Sequence, residues 1–583
     1  MSTSSTKSRR KQTRQPDTAT PRAKTGAASP VPEYLRAELS ERTWTIFGLF
    51  ILALAAVLRL YHLALVPLHH DEGVNGNFLV HLVREGKYFY DPANYHGPTL
   101  YYFTAVISWV IRSLFGESAQ NTYGLNDVTI RLVTALFGLA TVWVILLLRR
   151  HIGTVGSLCA AALLAVSPGA VYLSRYYIHE TLFVFFTLGL VVAAVKYYES
   201  THPIYLVLAS ISAALLFATK ETFIINVPVL VLALISTKVY ERLRFGSRAQ
   251  QKRSKKDRGR RITTREQLDN VIGRLGGPTK LALLAALAVV VFVIVSVLFY
   301  SSFFNNFPKG VYDSLNTFAV WTQTGQKAHV HPKWKYIEWL ILQEGPIFLL
   351  AILGAGISLW RPLNSFRLFA AFWAFGTLAA YSLVPYKTPW LTLSFIVPLA
   401  LVAGTVFQTL YEYGGKQSLA VIVVVLALGL GISTYQTIDL NFFNYDNDKR
   451  TVDLTHLEQD YRPQYYVYVY AHTHREMLAM IAEISRIAST SGEGNRLAIN
   501  IVSPEYWPLP WYFRDFPHVA YNSRVTSGDQ PVIIARDEQE PDVEAMFGDS
   551  YTKVQSGFHE DGSYALRPAV NLLLYVRRGV QQR

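Results

Sequence analysis

Residues 99–115 read TLYYFTAVISWVIRSLF, and how this stretch meets a membrane decides the topology of the whole chain. A spanning helix needs about 20 apolar residues. Eleven other stretches qualify, at about 44–64, 128–148, 153–172, 181–197, 204–219, 222–238, 281–302, 341–360, 367–384, 389–411 and 418–436. Residues 1–43 carry nine basic and four acidic side chains, and residues 238–280 carry fourteen and four. Lys and Arg collect on the cytoplasmic side of a membrane. If 99–115 does not cross, the tail, Arg149-Arg150-His151, the 238–280 loop and the Trp360-Arg361-Pro362 turn all share that side. If it crosses, the most basic loop is expelled. The sequence therefore predicts eleven spans, with 99–115 lying at the outer interface or re-entering it. Its Tyr101, Tyr102, Trp109 and Arg112 suit an interface.

Composition points the same way. The 583 residues are 51% hydrophobic, 13% aromatic and only 16% charged, against about 25% charged in an ordinary soluble domain. This excludes a disordered chain, a collagen and a coiled coil. The net charge of +14 comes from the two basic segments, so it is no argument for nucleic acid. A single cysteine, Cys159, excludes an internal disulfide and a cysteine-based zinc site. The apolar run after residue 43 starts too late and is too long for a cleavable signal peptide.

Beyond residue 436 the pattern changes. Strands are expected at 465–470, 497–502, 532–535 and 572–577, and an amphipathic helix at 475–487. The organisation read from the sequence is a disordered basic cytoplasmic tail (1–43), a transmembrane domain (44–436) containing the basic loop 238–280, and an extracytoplasmic α/β domain (437–583). The fold class is a polytopic α-helical membrane protein with a C-terminal α/β domain. The expected setting is the plasma membrane, N-terminus cytoplasmic.

That topology gathers unusual polar residues on one face: His69-His70-Asp71-Glu72, His96, Arg175-Tyr176-Tyr177, His179-Glu180, Lys220-Glu221 and Tyr386-Lys387. Charges this close to hydrocarbon are costly unless they face a cavity or a partner. Asp71 and Glu72 have the chemistry of a general base. Arg175, Lys220 and Lys387 have the chemistry to hold a phosphate, and are expected to share one cavity. His70, His96, Tyr176, Glu221 and Tyr386 complete the candidate set. Plainer readings stand beside these. Asp71 is a solvated loop carboxylate, Lys220-Glu221 a local ion pair, and Arg175 and Lys387 reach for headgroups. Trp507, Trp511 and Tyr512 either fill a core or pack against a sugar. His69, His70, Asp71, His96 and His179 leave a divalent metal site open, although no compact ligand motif is present.

An Asp-Glu pair in the first outer loop, followed by a Gly-Pro-led interfacial helix, resembles the GT-C membrane glycosyltransferases. SRYY at 174–177 and TKE at 219–221 fit that module over about residues 44–400. Protein O-mannosyltransferases and the aminoarabinose transferases of lipid A are the better-known relatives. VPYKTPW at 384–390, HTHRE at 472–476 and WPLPWY at 507–512 are similar to an uncharacterised, flippase-activity-associated branch, extending the likeness to the whole chain. The resemblance implies a polyprenyl-phosphate sugar donor, an extracytoplasmic protein or glycolipid acceptor, and inversion at the anomeric carbon. It implies no required cofactor and no nucleic acid. Asp71 matches the family's catalytic acidic residue, Glu72 its neighbour, and Arg175 and Lys220 the donor-phosphate contacts. The alternative is an accessory protein that binds lipid-linked sugar without catalysis.

Overall fold

The computed structural model describes residues 38–93, 96–118, 122–251, 277–324, 329–360, 364–445 and 466–580, with residues 2 and 273. Most of the basic tail, the centre of the 238–280 loop, Lys327, Arg361 and Pro362 lie outside the described residues.

Among the described residues, seven helices are long and apolar enough to cross a membrane, or up to nine if each of two bent pairs is one span. The first is α1 (Glu41–Leu60), capped by Ser40, whose side chain accepts from Thr43 N. Then come α2 (His70–Glu85), α3 (Thr99–Phe115) and α4 (Asp127–Leu146). The bent pairs are Thr154–Ala165 with Pro168–Ser174, at 61°, and Lys335–Gln343 with Gly345–Trp360, at 113°. A break leaves backbone N–H groups without helical partners. One buried carboxylate serves both breaks. Glu344, between the second pair, accepts from Gly169 N at 2.7 Å and from Ser167 Oγ at 2.9 Å in the first.

The helices alternate between two ends. At one end Arg149 pairs with Glu41 (2.6 Å), His151 lies 3.3 Å from Glu199, Tyr240 donates to the Leu359 carbonyl (2.6 Å), and Arg367 pairs with Glu412 (2.5 Å). The opposite end holds the loop after α1, the 218–222 turn, residues 329–344 and the 384–390 turn. Helix α3 lies across this second end. It starts where Gly97 N donates to the Thr219 carbonyl (3.0 Å). It finishes with Arg112 over the Tyr123 ring, which Arg84 of α2 also covers. Trp109, Leu114 and Phe115 project from it, each at least two-thirds exposed.

A six-stranded sheet caps the same end. Its strands are β1 (Ile499–Ile501), β2 (Val519–Tyr521), β3 (Val532–Arg536), β4 (Tyr551–Lys553), β5 (Tyr564–Arg567) and β6 (Val570–Arg577). The order is β2-β1-β3-β6-β4, with β5 also on β6. The β2-β1-β3 part is parallel and the β6 pairings are antiparallel. An amphipathic helix, Glu476–Thr490, buries Met477, Met480, Ile484 and Ile487 against it.

The strand expected at 465–470 is absent from the described residues 466–470. Tyr466, Tyr468 and Val469 are buried in the core of the helical bundle instead. Their hydroxyl groups explain this. Tyr466 donates to Asp439 at 2.7 Å, and Tyr468 reaches Glu344 at 3.3 Å, so the alternating pattern reflects insertion between helices rather than a pleat.

The sheet domain is seated on α2 through the WPLPWY segment. A Cβ at Gly73 would lie 2.5 Å from Pro508 Cβ, and one at Gly76 would lie 2.6 Å from the Trp511 ring. Trp511 Nε1 donates to Asp127 (2.7 Å), and Leu68 N donates to the Tyr512 hydroxyl (2.9 Å). Trp511 and Tyr512 therefore do core work. Trp507 stays half-buried, with its ring 6.2 Å from that of His70.

Candidate functional site

A cavity of about 620 Å³ opens between the helix ends and the sheet domain. The first turn of α2 supplies His69, His70, Asp71 and Asn75 to its wall. That turn is fixed by a capping box. The His69 ring accepts from Asp71 N (3.1 Å), while Glu72 accepts from His69 N (3.0 Å). His69 Nε2 then donates to the Tyr470 carbonyl at 2.8 Å.

The second wall is the 218–222 turn. Gly97 passes so close that a Cβ there would lie 2.2 Å from the Ala218 carbonyl oxygen. That approach sets His96 Nδ1 2.8 Å from Glu221. Burial pushes the Glu221 carboxyl up, but His96 and then Lys220 outweigh it and hold it at about 2. Lys220 is buried and paired with Glu180, at the start of the earlier helix Glu180–Ser200. His179 is fully buried and its Nε2 lies 2.9 Å from the Gly97 carbonyl. Tyr386, Trp390, His329, Tyr470 and, from the sheet domain, Arg567 close the remaining sides.

The expected site residues divide accordingly. Asp71, Lys220, His70, His96, Glu221 and Tyr386 line the cavity. Glu72, Arg175, Tyr176 and Lys387 do not. Glu72 is fully buried and held by Arg131, with Nε at 2.7 Å and Nη2 at 2.6 Å, and it accepts from Tyr177 N at 2.8 Å. Arg131 also donates to the Leu63, Val66 and Pro67 carbonyls. Glu72 therefore fastens the first loop rather than reacting. Tyr176 lies with it around a much smaller second cavity.

The three cations expected to share one cavity are not brought together. The Arg175 guanidinium donates to the carbonyls of Leu58, Tyr61 and His62, at 3.3, 2.6 and 3.0 Å. These are the open carbonyls at the end of α1, which need donors. Lys387 sits in an extended segment bridged to Val330 through Tyr386. Neighbouring side chains on extended backbone point to opposite faces. Tyr386 takes the cavity, while Lys387 Nζ donates to the Val384 carbonyl at 2.5 Å.

Among the described residues, no cluster of three or more His, Cys, Asp or Glu side chains could hold a metal ion. His69, His96 and His179 are committed to Tyr470, Glu221 and Gly97.

Sequence reasoning missed Arg131 and Arg567. Arg131 carried a signal, since a lone arginine in an apolar helix normally has a buried partner. Arg567 carried none, because its place depends on how a sheet more than 400 residues later docks on α2.

Comparisons with known proteins agree with this architecture. Residues 102–250 match the family model described as dolichyl-phosphate-mannose-protein mannosyltransferase. No curated protein matches the chain. Among solved structures, ArnT from Cupriavidus metallidurans bound to undecaprenyl phosphate is similar, with a TM-score of 0.57 and 14% identity, covering 93% of this chain and 99% of that one. Its apo form gives 0.54 and 14%, over 91% and 98%. The Archaeoglobus fulgidus oligosaccharyltransferase tethered with an acceptor peptide gives 0.47 and 12%, over 93% and 77%. The chain therefore shares the fold of ArnT over nearly its whole length, and residues 102–250 are similar to the mannosyltransferase family.

Proposed function

We propose that the protein moves a sugar from a polyprenyl-phosphate donor to an extracytoplasmic acceptor, with inversion and with Asp71 as general base. One observation carries this reading. Of the described carboxylates in the cavity wall, Glu180 is held by Lys220 and Glu221 by His96 at 2.8 Å, whereas the ion-pair contact of Asp71 is the His69 ring, as far as 3.9 Å away. Its side chain is about a quarter exposed, at the cavity surface. The solved ArnT with undecaprenyl phosphate and the mannosyltransferase model match support the donor class.

The acceptor hydroxyl is a weak nucleophile. As the lipid phosphate leaves, the anomeric carbon becomes oxocarbenium-like, and a carboxylate on its open face takes the hydroxyl proton. Such general-base help is worth roughly 10²–10⁴-fold in rate. Direct displacement inverts the centre and needs no sugar–enzyme bond. Lys220, shared with Glu180, supplies charge for the departing phosphate.

The test is incubation of the purified protein with a panel of radiolabelled polyprenyl-phosphate sugars, following lipid release and acceptor labelling. Asp71→Asn keeps size and most hydrogen bonding but cannot take the proton. It is expected to bind the donor normally while turnover falls at least about a hundredfold. Near-normal turnover in that variant would remove Asp71 as base and favour an accessory that only binds lipid-linked sugar.

A further inference from the structure

His70 opens α2 and faces the cavity next to Asp71, yet what holds its ring comes from the other end of the sequence. Arg567, the last residue of β5, reaches His70 Nδ1 from Nη1 at 3.3 Å and donates from Nη2 to the Glu505 carboxylate at 2.7 Å. A guanidinium offers five donors and no acceptor. Nδ1 of His70 is therefore the acceptor, and the ring proton sits on Nε2. Among the described residues, no protein group accepts from that Nε2.

We infer that Arg567 and Glu505 are positioning residues that hold His70 as a neutral Nε2–H donor at the cavity beside Asp71, so that the sheet domain is part of the reactive site. This rests on the transferase reading of the cavity. A neutral donor has a specific merit here. It binds a substrate oxygen without placing another cation against Asp71, which would lower the basicity the carboxylate needs.

The surroundings of His70 support this. Burial pushes its pKa down most strongly. Asp71 and Glu505 pull it up, His69 and Arg567 push it further down, and the balance is about 4. The Trp507 ring lies 6.2 Å from that of His70, and a second cation, Arg536, has its Nη1 3.8 Å from Glu505. The positioning pair is itself rigidly placed. Arg567 is paired to Val570 across the β5–β6 turn, whose Ala569 has a left-handed φ of 62°. The seating of Pro508 and Trp511 on Gly73 and Gly76 fixes the sheet relative to α2.

The experiment is carbethoxylation of the full-length protein by diethyl pyrocarbonate between pH 5 and 8, with the His70 peptide followed by mass spectrometry. Only neutral imidazole reacts. In the wild type the His70 rate, corrected for reagent decay, is expected to stay flat to pH 5. In Arg567→Gln the Glu505 carboxylate faces His70 with the more distant Arg536, at 3.8 Å, set against it. The rate is then expected to fall with an apparent pKa moved toward the ordinary histidine value of ~6.5. Glu505→Gln leaves the cation in place and is expected to keep the flat profile, whereas general loosening of the site would move both variants alike. Flat profiles in all three proteins, or equal shifts in both variants, would overturn the inference.

Turnover with whichever polyprenyl-phosphate sugar is active in the panel supplies the second arm. Arg567→Gln is expected to lower kcat about tenfold with donor KM changed less than about twofold, and to add no further loss to His70→Ala. A rise in donor KM alone, or additive losses, would make Arg567 a substrate contact and sink the positioning role. A protein that turns over no donor but shows the shifted carbethoxylation profile would fail the transferase reading while keeping the pair's hold on His70.

Discussion

Asp71 and Glu72 are chemically near-identical neighbours with opposite environments. Consecutive residues on a helix point about 100° apart. That turn sends Asp71 to the cavity and Glu72 into the bundle, where Arg131 meets it in a two-point contact with both side chains essentially fully buried. Removing one member of such a pair leaves an unpaired buried charge. Glu72→Ala is therefore expected to cost roughly 3–5 kcal/mol, read as a large drop in the unfolding temperature of the detergent-purified protein. Asp71→Asn, at a partly exposed position, is expected to stay within about 0.5 kcal/mol of wild type while losing turnover. If Asp71→Asn unfolds the protein and Glu72→Ala does not, the assigned roles are reversed. The acidic pair was legible in the sequence. Its division of labour was not, because that depends on an arginine 59 residues later. The same limit applies to Arg175 and Lys387. Their charge and approximate depth were readable, but not the helix-end and turn carbonyls that engage them.

At the level of elements, the contact between α2 and the WPLPWY segment carries the most consequence, because α2 bears Asp71. Two glycines one turn apart let proline and tryptophan side chains rest directly on the helix. Gly76→Ala drives a methyl group into the Trp511 ring, and overpacking of this kind costs about 1–3 kcal/mol. Trp511→Ala creates a cavity worth roughly 3–5 kcal/mol. Combined, the two changes are expected to cost less than the sum of the single changes by at least about 0.5 kcal/mol, measured by thermal or denaturant unfolding. Strict additivity would show that the two sites do not touch. Elements with strong apolar patterns were legible: β1, β3 and β6 overlap the runs at 497–502, 532–535 and 572–577. The short strands β2, β4 and β5 carried too little pattern to stand out. The tyrosine-rich run at 465–470 misled because alternating aromatic residues fit a gap between helices as well as they fit a pleated sheet.

At the scale of the molecule, the bundle has two ends of different character, and a topology of eleven crossings is predicted from them. Residues 38–44, 149–157, 199, 240–241, 359–360, 364–367 and 412 meet at one end. The cavity and the sheet domain occupy the other. The predicted eleven crossings are α1, α4, the first bent pair, Glu180–Ser200, the shorter apolar helix Pro203–Phe217, the helix from Phe223, Pro278–Tyr300, the second bent pair, Ser365–Leu383, Leu393–Gly414 and Leu419–Ile438. Helix α3 adds none, since its start and finish both contact the cavity end. An odd number of crossings separates the two termini. The described flanks of the basic segments, residues 38–44 and 238–244, lie at the end away from the cavity, so the positive-inside rule predicts that end to be cytoplasmic. Cys159 is buried in a helix, so engineered cysteines at exposed positions give a clean readout. Arg260→Cys in the basic loop is expected to react with a membrane-impermeant maleimide only after the membrane is opened. Glu560→Cys in the sheet domain is expected to react in intact cells. Labelling of both from the same side would require α3, or one of the eleven, to cross differently, and would put the cavity and the basic loop on one face of the membrane.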